Sequence, residues 1–375
     1  MFAHHRIADE HPVTILQIVP RVPGGLDGVG DYALNLAANF RDGFGCPTVF
    51  VAPDNSPPSS VGGFEVRSLR RVVDDQDFDR IILHYVNYGY QKRGTPFGLL
   101  STLRDLRGRR RVKLLTVFHE LYASAPPWKS AFWLRPFQVY LAKATARLSD
   151  DCLVSSEPFV RKLRRLFPTA SVHLHPVPSG FGEPELSSEQ IENRDPHRWV
   201  IVGGTALAER SLQSFIENIR NIPESITPKN LSVVGGEDNP TTRSMLAGIP
   251  IESDYKPRAT VSEASDILKN CSFGWLDYFH KADVEGSVAL KSTAFGALCA
   301  HAVIPIFPHR SSAISLDGDA LPGPFFVAPS GSEIPNIRDR ANIAINIYRW
   351  YQRHAASQHL AEKIAAVLGL ERTFR

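Results

Sequence analysis

Three groups of residues have the types and spacing of a site for anionic or hydroxyl-bearing ligands. The first is the cluster Gly24, Gly25, Gly28 and Gly30, which follows a short β-branched run and precedes a helical pattern. Glycine lets the backbone approach a ligand closely, and the first N–H groups of a helix offer partial positive charge to anions and hydroxyls. The order of Gly25, Gly28 and Gly30 is GxxGxG rather than the dinucleotide-binding GxGxxG, and no acid ends the second strand to grip a ribose. An ordinary strand-to-helix turn accounts for the same glycines. The second group is His119 with Glu120 and Tyr122, at the end of the apolar run 114–118. Ligands of α/β sheets collect where parallel strands end, so a histidine there can bond a substrate or steady charge in a transition state. The third group is the segment 285–293, with Glu285, Ser287, Lys291, Ser292 and Thr293. Ser287 reads as the N-cap of a helix over 287–300, with Lys291 one turn along and Arg210 as a second cation opposite it. Fixed cations and N–H groups stabilise negative charge that grows during a reaction without having to rearrange.

The elements that must position these residues alternate between short β-branched runs and longer amphipathic stretches, the pattern of parallel sheets with crossover helices. The first half predicts strands near 14–19, 47–51, 80–85, 112–118, 152–155 and 171–175, and helices over 31–40, 97–107, 129–148 and 158–166. Pro176, Pro178, Gly180, Gly182 and Pro184 then mark a linker over 176–196. The pattern restarts with strands near 199–202, 231–234, 249–251, 272–276 and 303–307 and helices over 209–220, 261–269 and 287–300. A helical segment over 337–368 has the length to return to the first domain. The expected domains are 1–180, 181–336 and a C-terminal segment 337–375.

Composition narrows the functional classes. The 375 residues are 43% hydrophobic and 22% charged, which is ordinary for globular domains, and no apolar run is long enough to span a bilayer. The first residues have no apolar signal-peptide core, which places the expected protein in the cytoplasm. Cys46, Cys152, Cys271 and Cys299 are scattered in apolar surroundings without metal-ligand spacing and read as buried thiols. Residues 1–180 hold 23 Lys and Arg against 16 Asp and Glu, whereas the remainder holds 19 against 23. The basic half includes Arg104, Arg107, Arg109, Arg110, Arg111 and Lys113, with Arg161, Lys162, Arg164 and Arg165, near the aromatic helix start at Trp128, Phe132 and Trp133. This charge suits an anionic membrane or acceptor, or simply a solvated helix end; no nucleic-acid reading motif accompanies it. Asp74, Asp75, Asp77 and Asp79 have the look of a metal-binding Asp-x-Asp, but they precede a strand and read as a solvated turn. His84, His173, His175 and His301 form no ligand pattern and read as structural.

Several of these segments, taken in order, resemble glycosyltransferase family 4. The run 23–37, PGGLDGVGDYALNLA, is similar to that family's N-terminal glycine loop and first helix; 78–85, FDRIILHY, is similar to its acceptor-wall strand; and 114–122, LLTVFHELY, is similar to its strand ending in a histidine and an acid. In the second half WVIVGG at 199–204 with Glu209-Arg210-Ser211, and LSVVGGE at 231–237, resemble its following strands and glycine turns. The resemblance implies a GT-B fold of two facing Rossmann-like domains, the first for an acceptor and the second for a nucleotide-sugar. A C-terminal helix would cross back to the first domain. It further implies metal-independent, retaining sugar transfer with no cofactor beyond the nucleotide-sugar co-substrate, onto a carbohydrate, lipid-linked or other acceptor. His119, Arg210 and Lys291 take the catalytic roles, and Gly25, Gly28, Gly30, Glu120, Tyr122, Glu237, Glu285, Ser292 and Thr293 the substrate contacts. Glu285 matches the first of the family's paired glutamates; Thr293 stands where the second is expected, and Gly204 where the family has arginine. A sugar-nucleotide epimerase of the same shape and a non-catalytic binding relative are the alternatives.

Overall fold

A computed structural model describes residues 13–25, 28–54, 57–70, 72, 78, 80–109, 111–123, 126–279 and 284–372. Among these, two large sheets are built mainly from parallel strands.

The first sheet has eight strands: β1 (Ile15–Ile18), β2 (Thr48–Ala52), β3 (Ser60–Val61), β4 (Phe64–Ser68), β5 (Arg80–Tyr85), β6 (Lys113–Phe118), β7 (Asp151–Val154) and β8 (Val172–Leu174). Their spatial order is β3-β4-β2-β1-β5-β6-β7-β8. The helices of this half are α1 (Gly28–Phe44), α2 (Asn87–Tyr90), α3 (Phe97–Arg109), α4 (Ser130–Leu148) and α5 (Glu157–Leu166). Strand β1 pairs in parallel with β2 and β5, and β5 pairs with β6 from Arg80↔Lys113 to Tyr85↔Phe118. All four residues of β1 and all five of β2 are buried, as expected of parallel strands covered on both faces. The β3–β4 hairpin, absent from the expected elements, turns on Gly62 and Gly63, both with positive φ. Two consecutive positive-φ residues are what a two-residue hairpin needs.

The second sheet contains β9 (Arg198–Val202), β10 (Asn230–Val234), β11 (Glu252–Lys256), β12 (Phe273–Trp275), β13 (Ile304–Phe307), β16 (Phe325–Ala328) and β17 (Gly331–Glu333), in the order β11-β10-β9-β12-β13-β16-β17. Strands β14 (Ser315–Leu316) and β15 (Asp319–Ala320) form a separate ribbon. The helices are α6 (Ser188–Glu192), α7 (Thr205–Asn218), α8 (Pro240–Ala247), α9 (Val261–Leu268), α10 (Thr293–Ala300), α11 (Arg340–His354) and α12 (Ser357–Leu368). Trp199, Phe215, Phe273 and Trp275 meet at the centre of its core, the Trp199 and Phe273 rings stacked at 5.0 Å.

The chain divides into two compact units: residues 1–24, 33–152 and 361–375 in one, and 25–32 and 153–360 in the other. The division does not follow the expected linker. Residues 153–180 belong with the second unit because α5 packs on the turn 286–291 and Val177 N–H bonds to the Leu290 carbonyl at 2.8 Å. The expected segment 337–375 also divides. Helix α11 packs on α10 and α6 in the second unit, while the C-terminal end of α12 lies in the first. There Arg80 Nε donates to the Leu368 carbonyl at 2.8 Å and Lys113 Nζ to the Val367 carbonyl. Cations on the last carbonyls of a helix satisfy its unpaired acceptors and oppose its dipole.

Candidate active site

In the first unit His119 follows the last residue of β6, and its N–H donates to the Tyr85 carbonyl at 3.2 Å. Its ring is half-buried and meets His84, which the sequence reading left as structural. The two imidazoles stack with centroids 5.5 Å apart, and His84 Nδ1 lies 3.2 Å from His119 Nε2. The far side of His84, Nε2, lies 2.8 Å from Gln17 Oε1. Register explains the alignment. Gln17 pairs with Ile82 and His84 with Val117, so Gln17, His84 and His119 fall on one face of the sheet at two-residue steps. With the Gln17 amide oxygen turned towards it, His84 Nε2 carries the proton and its Nδ1 accepts from His119 Nε2–H. His84 and Gln17 are fully buried. Burial, reinforced by the neighbouring His119, holds the His84 pKa well below the usual histidine value, which favours the neutral ring. The signal available in the sequence was Gln17 itself, a polar residue within an otherwise apolar parallel strand.

Beside this chain, Glu120 is exposed, and Tyr122 is half-buried with the Arg135 guanidinium 5.5 Å above its ring. Gly28 opens α1, with Gly30 buried in its first turn; added Cβ atoms at Gly25 and Gly28 would meet nothing within 4 Å. Leu26 and Asp27 of this loop, and the run Asp74, Asp75, Asp77 and Asp79, lie outside the described residues.

The second unit places two glycine turns side by side at the C-terminal ends of the neighbouring strands β9 and β10. A Cβ on Gly235 would stand 2.7 Å from the Gly203 carbonyl oxygen, and one on Gly236 would stand 2.6 Å from the Thr205 nitrogen. Gly235 and Gly236 both have positive φ, so neither position admits a side chain without backbone movement. Helix α7 starts at this edge with Gly204 as its N-cap. Glu237 is exposed and paired with Arg258 at 2.5 Å, while its N–H is held by Thr205 Oγ1 at 2.7 Å.

Arg210 lies on α7 and donates from Nε and a terminal nitrogen to the Asp277 carbonyl, at 2.9 and 2.7 Å, just beyond β12. The helix expected over 287–300 is two elements. Residues Gly286–Lys291 form a 3-10 helix, and the α-helix α10 begins only at Thr293. Ser292, not Ser287, is its N-cap, accepting from the Phe295 N–H at 3.2 Å. The Ser287 hydroxyl instead donates to Glu285 Oε1 at 2.9 Å, which removes it from capping. Glu285 Oε2 pairs with Arg161, an exposed member of the basic cluster, at 2.5 Å. Gly286 is forced by packing, since a Cβ there would come within 2.2 Å of the Ser312 carbonyl oxygen. Lys291 Nζ lies 4.0 Å from the Phe159 ring centroid. Ser292 is buried and Thr293 half-buried, the latter 3.3 Å from where a Gly180 Cβ would be. Glu285, Lys291, Ser292 and Thr293 are therefore brought together on one short stretch, whereas Arg210 is held separately by Asp277. Among the described residues no three His, Cys, Asp or Glu side chains group as metal ligands.

No protein-family model matches the chain, and no curated protein matches it. Solved structures do. An alpha-glucosyltransferase in complex with UDP-glucose and DNA containing an abasic site is 13% identical over 96% of this chain and 99% of that one, with a TM-score of 0.55. A trehalose-6-phosphate protein from E. coli bound with UDP-2-fluoro glucose is 10% identical over 96% and 100%, also at 0.55. WaaG, a glycosyltransferase involved in lipopolysaccharide biosynthesis, is 10% identical over 94% and 99%, at 0.52. At such identities the likeness establishes the fold: a mixed α/β chain with two Rossmann-like parallel sheets, the GT-B architecture.

Proposed function

We propose that this chain is a glycosyltransferase that moves a sugar from a nucleotide-sugar to an acceptor, without a metal and with retention of anomeric configuration. The observation that carries the reading is His119, held at the C-terminal end of a parallel strand by the buried, neutral His84. Histidine fixed in this way presents one protonation geometry to a substrate, which suits a group that must bond a sugar hydroxyl or accept charge during transfer.

In the second unit, the paired glycine turns and the start of α7 suit close approach of a diphosphate, and Arg210 and Lys291 supply cations for it. When the bond between the anomeric carbon and the phosphate oxygen breaks, its electron pair stays on that oxygen, and these groups would stabilise the new charge. Glu285, oriented by Arg161 and Ser287, suits a contact with donor-sugar hydroxyls. Supporting the reading, two of the structural neighbours hold UDP-sugars.

The test is a thermal-shift screen against UDP-, GDP-, ADP- and dTDP-linked sugars, followed by assay of nucleotide release with and without acceptors. A ligand at one hundred times its Kd stabilises the native state by about 2.7 kcal/mol. One nucleotide series should raise the melting temperature, and release should depend on acceptor. Stabilisation by none of the four series would defeat the proposal, and sugar interconversion without an acceptor would replace transfer with epimerisation.

A further inference from the structure

Helix α4 has two apolar faces. One carries Gln138, Leu141, Ala142, Thr145 and Ala146 into the core. The other, at i, i+4 and i+7, carries Trp133, Phe137 and Tyr140, which are 69%, 53% and 50% exposed. Trp128, just before the helix, is 82% exposed. Side chains from the neighbouring segment 88–104 extend this surface. Phe97 meets Phe137 edge-on with centroids 6.3 Å apart, and Arg104 donates to the Tyr140 hydroxyl at 3.3 Å. Tyr88 accepts from Gln138 Nε2 at 3.0 Å. Among the described residues the only other large apolar side chains standing exposed are Val261 and Ile337. Water-facing aromatics gathered this tightly mark an interaction surface.

Charge identifies the occupant. The chain has no Asp or Glu from residue 121 to 149, nor from 80 to 104, while Lys92, Arg93, Arg104, Lys129 and Arg135 are exposed on these segments. Trp and Tyr with a polar edge and an apolar body, on two segments that carry cations and no carboxylate, match the interface of an anionic bilayer. No helix of the described residues is long and apolar enough to cross a membrane, so the contact is one of lying on a surface. Of the basic cluster picked out by the sequence, Arg104 lies on this surface, whereas three others are engaged elsewhere. Arg107 is held bidentately by Asp150 at 2.7 and 2.9 Å, Lys113 by the end of α12, and Arg161 by Glu285.

We infer that the aromatic face of α4, with Trp128 and Phe97, seats this protein on anionic lipid. The inference does not depend on sugar transfer and is read without it.

The experiment uses the full chain and vesicles of phosphatidylcholine, alone or mixed with phosphatidylglycerol, with brominated acyl chains. Of the five tryptophans, Trp199, Trp275 and Trp350 are buried, so quenching reports Trp128 and Trp133. Mixed vesicles should quench the emission, and rising salt should release the protein, because exposed charges are screened over ~8 Å at physiological ionic strength. Replacing Trp133 and Phe137 together by Ser should abolish co-sedimentation. Changing Lys129 and Arg135 to Gln should weaken it roughly twenty-five-fold, at about fivefold per cation. The second pair lies wholly on the surface and decides the matter should the first fail to fold. Absence of binding, equal binding to neutral vesicles, or indifference to the Lys129 and Arg135 changes would overturn the inference. So would self-association that the Trp133 and Phe137 changes abolish, which would show a second copy covering the face.

Discussion

Each compact unit buries a polar cluster, and the two lie at different ends of their strands. In the first unit Gln17, His84 and His119 run towards the C-terminal ends of β1, β5 and β6 and finish on a half-buried ring. In the second, one terminal nitrogen of Arg194 donates to the carbonyls of Cys271, His301 and Ala302 at 3.2, 2.8 and 3.0 Å, just before β12 and β13 begin. Beside it Arg340 donates to the Ser272 hydroxyl at 2.9 Å, and His301 Nδ1 donates to the Ala297 carbonyl at 2.8 Å. Both clusters are desolvated, and burial takes the Arg194 pKa down to about 10. The difference is access. A cluster ending at the C-terminal edge of a parallel sheet can present a group to a ligand, whereas one at the N-terminal edge closes the loops that start the strands.

If that contrast holds, the largest single effect belongs to His119. His119→Ala should lower turnover by roughly 10²–10⁴-fold, the range expected of a positioned acid–base group, while costing only about 1 kcal/mol of stability through the donor that His84 loses. His84→Phe should give a smaller loss of about tenfold, partly restored by His84→Gln, which keeps an acceptor for His119 Nε2–H. Equal loss in the Phe and Gln variants would mean that His84 is packing alone.

Arg194 tests the other side of the comparison. Arg194→Met leaves three buried carbonyls without their shared donor, partly offset by removal of a buried charge, and should destabilise the second unit by about 2 kcal/mol. Urea unfolding followed by tryptophan emission reads this, because Trp199, Trp275 and Trp350 lie in that unit's core. Activity of the protein that remains folded should be unchanged. Lost turnover at native stability would assign the N-terminal edge a part in the chemistry.

Acid separates the two units least, since both clusters contain a buried histidine. Burial, with help from the Arg194 and Lys269 charges, takes the His301 pKa down to about 4. The folded value lies below the unfolded one, so the stabilisation is fully present above ~6.5 and is lost as pH falls towards the folded value. The second unit should lose about 3 kcal/mol between pH 7 and pH 4 through this group. His84 is shifted in the same direction and acts likewise in the first unit. His301→Gln should flatten the acid limb of the tryptophan-detected curve; an identical limb in the variant would show that other groups dominate it.

Sequence alone determined the alternation of strand and helix, because period-2 and period-3.6 patterns are local and the parallel strands are buried on both faces. It placed His119 at a strand end and the glycine turns before helices, since both follow from where an apolar run stops. It read the strand at 249–251 a few residues early, because β11 (Glu252–Lys256) is largely exposed and lacks the apolar signal. The start of α10 was missed because Ser287 and Ser292 are equally good caps by type, and only the Glu285 carboxylate decides which hydroxyl is free to cap. Tertiary structure alone decided that His84 reaches His119, since that contact is set by the register between strands whose sequence separation is filled by α2 and α3. It likewise decided that Trp133, Phe137 and Tyr140 face water: α4 is apolar on two sides, and which side is covered depends on what packs against it, which its own sequence does not encode.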